Sequence, residues 1–350
     1  MRTRYVYLVV AILVAVVGVA AAVRFVLGHD AAADQLSHNP PVSVVTPAAP
    51  GNLVPYEQAI ASAGSHGLHV WLETDLVKRW RAGATSFQQG IDAIAQEAKD
   101  PAVVGVKVAD ELGYHDGLST SHEIQAFLDA TASALRARVS GKLILVDVVV
   151  PELGCMPGHQ PSIQAAVQCD KNEAGYYPQL SLPALDSYVQ SHTIDVLDVS
   201  TYLQSAATYS GWGTSIAVAQ SAAWQEIGRR GWSKYVTLNG RKALAHPGKF
   251  SGTPTDAEAS LQVYVDIPLQ FGAHAVDIWT WRQLYEGQIY RLMDPGSVAN
   301  PLWTAIIGRH DDGVALFTHF SPSSVESNVD GDMKLIATAF TDVFIAAGTG

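Results

Sequence analysis

The chain has 350 residues, 48% of them hydrophobic and 16% charged, with a formal net charge of −11. That length holds one large domain or two ordinary ones around an extensive core. The acidic balance, with no basic patch, argues against a nucleic-acid partner.

At the N-terminus Arg2 and Arg4 precede an unbroken apolar run from Tyr5 to Val23. Nineteen residues just suffice to span a bilayer as a helix. The basic residues before it favour a cytoplasmic N-terminus. Residues 1–28 therefore read as a signal anchor, or as a signal peptide cut after Ala20-Ala21-Ala22. Either way the remainder is expected outside the cytoplasm, membrane-anchored through residues 5–23 or secreted. Residues 29–40 read as a linker, within a stretch from His29 to Pro50 rich in Ala, Pro, Asp and Ser. The folded domain is expected over residues 41–350.

From there strands and helices alternate. The expected strands are Val42–Val45, Leu68–Thr74, Val103–Glu111, Leu143–Val150, Ile194–Tyr202, Tyr235–Asn239, Ala275–Trp281 and Val314–His319. The helical stretches between them are Val54–Ser65, Ser86–Lys99, Ser121–Val139, Leu182–Ser191, Thr214–Arg230 and Thr255–Phe271, with two more near Pro301–Gly308 and Met333–Ala346. Ser119–Glu123 and Thr253–Glu258 carry helix-start signals, and Gly141, Gly231 and Gly272 sit just past helix ends. Eight alternating units predict a (β/α)8 TIM barrel. An open doubly wound sheet is the alternative, disfavoured because no Gly-rich phosphate loop follows any strand. Cys155 and Cys169 are the only cysteines. In an exported chain they read as one disulfide across the loop after the fourth strand, or else as two buried thiols. No CxxC or histidine cluster suggests a metal, and no cofactor is expected.

A strand turns alternate residues to opposite faces. In Val103–Glu111, Val104, Val106 and Val108 share one face, and Gly105, Lys107, Ala109 and Glu111 the other. The same split recurs in five more strands. If the apolar faces pack on helices, the barrel interior receives Glu73, Asp75, Lys107, Glu111, Asp147, Asp198, Tyr202, Asn239, Asp277, Trp279 and Trp281. Interiors of structural barrels carry Val, Ile and Leu. So many acids mean either ion-pair networks with Lys107 and Arg282, or a wet cleft. Trp71, Tyr114, Tyr202, Trp212, Trp279, Trp281 and Tyr285 fall at or just past strand ends. Carboxylates interleaved with aromatics suit a sugar cleft, because glycoside hydrolysis uses two carboxyl groups across the scissile bond.

These features resemble the glycoside hydrolase superfamily of (β/α)8 barrels, over about residues 40–320. The adjacent Asp110-Glu111 is similar to the Asp-Glu pair of the family 20 and family 123 hexosaminidases. The resemblance implies that Glu111 is the general acid and that Asp110 orients an acetamido group. On the residues alone, Glu111 is the first candidate acid, and Asp198 and Asp147 lead as its partner carboxylate. Glu73, Asp75, Lys107, Tyr114, Tyr202, Asn239, Trp279, Trp281 and Arg282 are candidate substrate contacts. The expected partners are an oligo- or polysaccharide and the membrane, with the protein a monomer. The competing reading is a non-catalytic anchored barrel that binds cell-envelope glycan; a ligand-free scaffold is a third. A metal amidohydrolase lacks its HxH on Val42–Val45, and a serine hydrolase lacks its Gly-x-Ser-x-Gly elbow.

Overall fold

A computed structural model describes residues 54–156, 164–326 and 328–346. The expected membrane segment, linker and Val42–Val45 strand lie outside these residues. Among the described residues no helix is long and apolar enough to cross a membrane.

Eight parallel strands close into a barrel: β1 (His69–Glu73), β2 (Val103–Ala109), β3 (Leu143–Val149), β4 (Val196–Ser200), β5 (Thr237–Ala243), β7 (Ala275–Tyr285), β9 (Leu316–Phe320) and β10 (Asp342–Ala346). Neighbours pair in that order, β5 pairs with β7, and β10 pairs with β1 to complete the circle. Two short strands stand outside it. β8 (Gln288–Arg291) folds back antiparallel on the end of β7, and β6 (His246–Pro247) pairs with β8.

The eighth barrel strand is Asp342–Ala346, which the sequence reading assigned to a helix over Met333–Ala346. That helix stops at Ile336, and the chain turns through Ala337–Thr341 into alternating Val343, Phe344 and Ile345. Two expectations shift with it. The Asp110-Glu111 pair follows the second barrel strand rather than the third, and the cysteine loop follows the third strand rather than the fourth. Helix α1 (Val54–Ser65) packs against β1 and β10 and the helix before β10, α12 (Val329–Ile336), so the helix preceding the first strand covers the join between first and last.

The other helices are α2 (Leu76–Arg81), α3 (Ala84–Glu97), α4 (Ser121–Arg138), α5 (Gln164–Tyr176), α6 (Leu182–Gln190), α7 (Ala206–Gly211), α8 (Ile216–Arg230), α9 (Pro254–Leu261), α10 (Ile267–Gln270) and α11 (Pro301–Asp311). The predicted start signals act as such. Thr120 and Glu123 form a capping box on α4, and Thr253 and Asp256 one on α9. Gly231 ends α8 at φ 70°, the left-handed region. The single helix expected over Thr255–Phe271 is instead interrupted. Ile267 N–H reaches back five residues to Gln262 O, a π turn. Pro268, which has no N–H and crowds the preceding turn, follows directly.

The barrel interior is divided by height. Its N-terminal half is apolar: Trp71, Leu145, Val196, Ala275, Phe317 and Phe344 form one cluster. Its C-terminal half carries charge. Strand register sets Asp147 level with Asp198 and Asn239, Glu73 level with Lys107, and Arg241 level with Asp277. The outward faces supply the larger core against the helices.

Cys155 and Cys169 are joined, tying the turn Pro151–Cys155 after β3 to α5. A crosslink closing a loop of this size contributes about 3 kcal/mol, in a chain-entropy account. Intact mass before and after alkylation is expected to find no free thiol until reductant is added. Reduction is expected to lower thermal stability without opening the barrel, because the bridge touches no barrel strand.

Candidate active site

The structure brings Glu73, Lys107, Asp110, Glu111, Asp147, Asp198 and Asn239 together inside the C-terminal half of the barrel. Asp277, expected inside the barrel but not among the site residues, joins them, with two residues that were not expected there, Arg241 and His319. Lys107 Nζ lies 2.8 Å from Glu73, 2.8 Å from Asp110 and 2.7 Å from Asp147. Arg241 lies 2.9 Å from Asp110, 3.3 Å from Glu111, 3.2 Å from Asp147 and 3.3 Å from Asp277. His319 stands between Glu73 on Nδ1 and Asp277 on Nε2, each at 3.0 Å. Asn239 Nδ2 donates to Asp198 at 2.8 Å.

Six carboxyl groups thus meet three cations in a site nearly closed to water, and proton affinities diverge accordingly. Burial pushes Glu111 up to about 8, with Asp110 and Asp147 adding to the rise and Arg241 opposing it. Burial also pushes Asp147 up to about 7 and Asp198 well above the carboxylate range, the latter helped by the charges of Asp277 and Asp147. Burial opposes ionisation of Asp110 too, yet Lys107 and Arg241 outweigh it and hold that carboxyl well below the usual range. In Glu73 burial is likewise overcome, by His319 and Lys107, which hold it at about 2. His319 is drawn up to about 9 by Asp277 and Glu73 against its burial. The carboxyls whose proton affinity is raised are then Glu111, Asp147 and Asp198. Contact with a cation does not by itself separate the two sets, since Glu111 and Asp147 also lie within 3.3 Å of Arg241.

Glu111 sits just past β2 with φ 49°, a left-handed backbone that a glutamate rarely adopts. Asp147 holds it there. Its side chain accepts from Glu111 N–H and its carbonyl accepts from Leu112 N–H at 3.0 Å. Tyr202, just past β4, is also left-handed at φ 49°. Gly154 lies against it so closely that an added Cβ would stand 1.9 Å from Tyr202 O. Only glycine allows the turn after β3 to approach the end of β4 in this way.

Aromatic rings gather near these strand ends in two groups. Tyr114 stacks near Tyr177 at 4.9 Å between centroids, and its hydroxyl lies 3.3 Å from that of Tyr202. Trp279 packs on Tyr290 at 5.5 Å and on Tyr285 at 6.1 Å, and the Glu111 charge reaches the Tyr285 hydroxyl. Tyr177 and Tyr290 were not singled out in the sequence; Tyr177 directly follows α5 and Tyr290 belongs to the β7–β8 hairpin.

Three expected contacts, and one of the strand-end aromatics, lie elsewhere. Asp75 caps α2, accepting from Lys78 N–H at 3.1 Å. Arg282 binds Asp332 and lies 3.0 Å from Glu326, away from the barrel acids. Trp281 packs on Trp303 of α11 at 5.3 Å. The register of β7 against β9 shifts between Ile278 and Arg282, so the alternation that places Asp277 inward does not carry through to Trp281. Trp71 belongs to the apolar plug below the charges, its indole donating to Asp342 at 2.9 Å. Among the described residues no group of three or more His, Cys, Asp or Glu is arranged to hold a metal ion.

Linkage makes the cluster pH-sensitive. The folded value of His319 lies above its unfolded one, so its stabilisation is complete below about 6.5 and is lost as pH rises through about 9. Glu111 and Asp147 are raised as well, so their contribution is present below the ordinary carboxylate range and lost as pH rises through about 7 to 8. Glu73 behaves oppositely: its contribution is present above that range and lost as pH falls toward 2. Thermal melts are expected to show the highest midpoint on the acid side of neutrality, with a marked fall between pH 7 and 9. A midpoint that climbs over that interval would contradict the assignment.

No family model matches the chain, and no curated protein matches it. Solved structures do. The carboxyl transferase domain of pyruvate carboxylase from Rhizobium etli is 11% identical with a TM-score of 0.42, covering 88% of this chain and 45% of that one. The chain thus spans about half the length of that neighbour. A beta-1,4-D-mannanase from Cryptopygus antarcticus is 10% identical with a TM-score of 0.40, over 79% of this chain and 83% of the mannanase. A putative phosphonomutase from Burkholderia cenocepacia is 9% identical with a TM-score of 0.37, over 83% and 92%. Likenesses this distant carry no argument about chemistry, and the three named proteins differ in activity.

Proposed function

We propose that this protein is an extracytoplasmic glycoside hydrolase with Glu111 as general acid. One observation carries the reading. Two neighbouring carboxyls at the C-terminal end of a barrel strand contact the same guanidinium, yet one keeps its proton and the other does not. Glu111 is raised to about 8 and Asp110 is held low. Paired carboxyls driven apart in this way are the means by which one site holds both an acid and an anion near neutral pH.

In this reading Glu111 passes its proton to the glycosidic oxygen as the C–O bond breaks. Asp110 orients the acetamido group, as the resemblance implies, and its charge offsets the positive charge that develops at the anomeric carbon; water then adds to that carbon and returns a proton to Glu111. Asp147 and Asp198, the leading partners by sequence, suit the task of Asp110 less, since the proton affinity of both is raised and both are fully buried. The side chain of Asp110 is 18% exposed, the most open acid of the cluster. The two aromatic groups would flank the sugar. The likeness of Asp110-Glu111 to the hexosaminidase pair puts N-acetylhexosaminides first among substrates. The apolar run Tyr5–Val23 would hold the barrel at the membrane or direct its secretion, and the barrel would act as a monomer.

A second reading, a non-catalytic barrel that binds envelope glycan, is favoured by the self-contained pairing of the acids with Lys107 and Arg241. A panel of aryl glycosides and envelope polysaccharides decides between them. Turnover by wild type and not by Glu111→Gln supports hydrolysis. Binding without turnover across the panel supports the second reading.

A further inference from the structure

Beneath Glu111 the charges close on themselves. Arg241 Nε lies 3.3 Å from Asp277, and Asp277 lies 3.0 Å from His319 Nε2. His319 Nδ1 lies 3.0 Å from Glu73, and Glu73 lies 2.8 Å from Lys107 Nζ. Lys107 lies 2.8 Å from Asp110, and Asp110 returns to Arg241 Nη2 at 2.9 Å. Positive and negative side chains alternate around the whole circuit. Glu111 is not a member; its ion-pair contact with the ring is Arg241 Nη1 at 3.3 Å.

We infer that Asp277 and His319 are positioning residues for the Glu111 proton: they close the ring at the Nε edge of Arg241, which Asp147 also approaches at 3.2 Å, so that the guanidinium is shared among several carboxylates and less of its charge acts on Glu111. The inference rests on reading Glu111 as the proton donor, although the ring stands without it. A cation shared among several carboxylates lowers the proton affinity of each by less than it would for one alone. Glu111 faces Arg241 from β5, Asp147 from β3, its neighbour Asp110 and the Tyr285 hydroxyl from β7. His319 faces Glu73, Asp277, Lys107 and the Phe344 ring, whose centroid is 4.7 Å away.

Two substitutions remote from Glu111 should therefore move its titration in opposite directions. Asp277→Asn removes a competitor for Arg241, which then acts more fully on Glu111. His319→Gln removes the charge that balances Asp277, which then draws harder on Arg241.

The test is a carbon-13 carboxyl NMR titration of the full-length chain, with the Glu111 resonance identified by its loss in Glu111→Gln. Asp277→Asn is expected to lower the Glu111 midpoint by about one pH unit. His319→Gln is expected to raise it by a similar amount, and the double variant to return it near the wild-type value. If either single variant fails to fold by circular dichroism, Glu73→Gln takes its place. It frees both His319 and Lys107 to occupy the ring's other acids and should lower the midpoint. Single variants that leave Glu111 unmoved, or move it the same way, overturn the inference. The readout needs no substrate. A tuned Glu111 in a protein that cleaves no glycan sinks the proposed function alone, and glycan turnover with an untuned Glu111 sinks the ring's role alone.

Discussion

Glu111→Gln is expected to lower glycoside turnover by at least ~100-fold, the usual scale for losing general acid catalysis, while glycan binding survives. The two halves of that result have separate causes. The amide keeps the size of the carboxyl and can still accept from Arg241, so the mouth of the barrel should hold its shape. It has no acidic proton to give to a leaving oxygen. Aryl glycosides with acidic leaving groups need less protonation, so the loss should shrink on them and grow on alkyl glycosides. The pH profile should change too. Wild-type turnover should fall as pH rises through about 8, where Glu111 ionises. The residual activity of the variant should lack that limb. Wild-type turnover in Glu111→Gln would remove Glu111 from the role of acid.

Much of this site was legible in the sequence because the period of a strand is two and does not depend on knowing the fold. Glu73, Lys107, Asp147, Asp198, Asn239 and Asp277 were assigned to one side of their strands, and that side is the interior. The failures came where an element's end had to be guessed. The strand expected over Tyr235–Asn239 runs on four residues to Ala243, and Arg241, although its spacing puts it on the same face as Asn239, was matched to no acid. The acids were consequently matched to Arg282, whose partners are Asp332 and Glu326. His319 ends a strand whose other residues are apolar or small, so periodicity gave it no signal. The last strand was hidden because Met333–Ala346 carries alanines and apolar residues at spacings compatible with a helix. What ends the helix is the turn through Ala337–Thr341, which contains neither Gly nor Pro. The hairpin at Glu286-Gly287, which brings Tyr290 beside Trp279, follows a strand that was ended four residues early.

Arg241→Gln is expected to be the most destabilising single change in the barrel. The guanidinium is fully buried and contacts Asp110, Glu111, Asp147 and Asp277. A buried ion pair is a weak source of stability when formed, because desolvation offsets much of the attraction. Breaking an isolated buried pair costs about 3–5 kcal/mol, and the loss here should approach that figure from below, because Lys107 still contacts Asp110 and Asp147 and His319 still contacts Asp277. For a domain this large that corresponds to a fall of roughly 5–8 °C in the thermal midpoint. Arg138→Gln is the control: it breaks a pair with Asp92 in which both side chains are about half exposed, and should leave the midpoint unchanged. The size of the loss should also depend on pH. In acid the orphaned carboxyls can take protons, so the gap between variant and wild type should narrow as pH falls from 7 to 4. Adding Asp277→Asn to Arg241→Gln removes one of the stranded charges and should recover part of the midpoint, whereas Asp277→Asn alone should lower it. Recovery of that kind requires the two side chains to act on each other. An Arg241→Gln variant that melts with wild type at neutral pH would mean that the interior admits enough water to solvate its acids, and the ring would then be no constraint on Glu111.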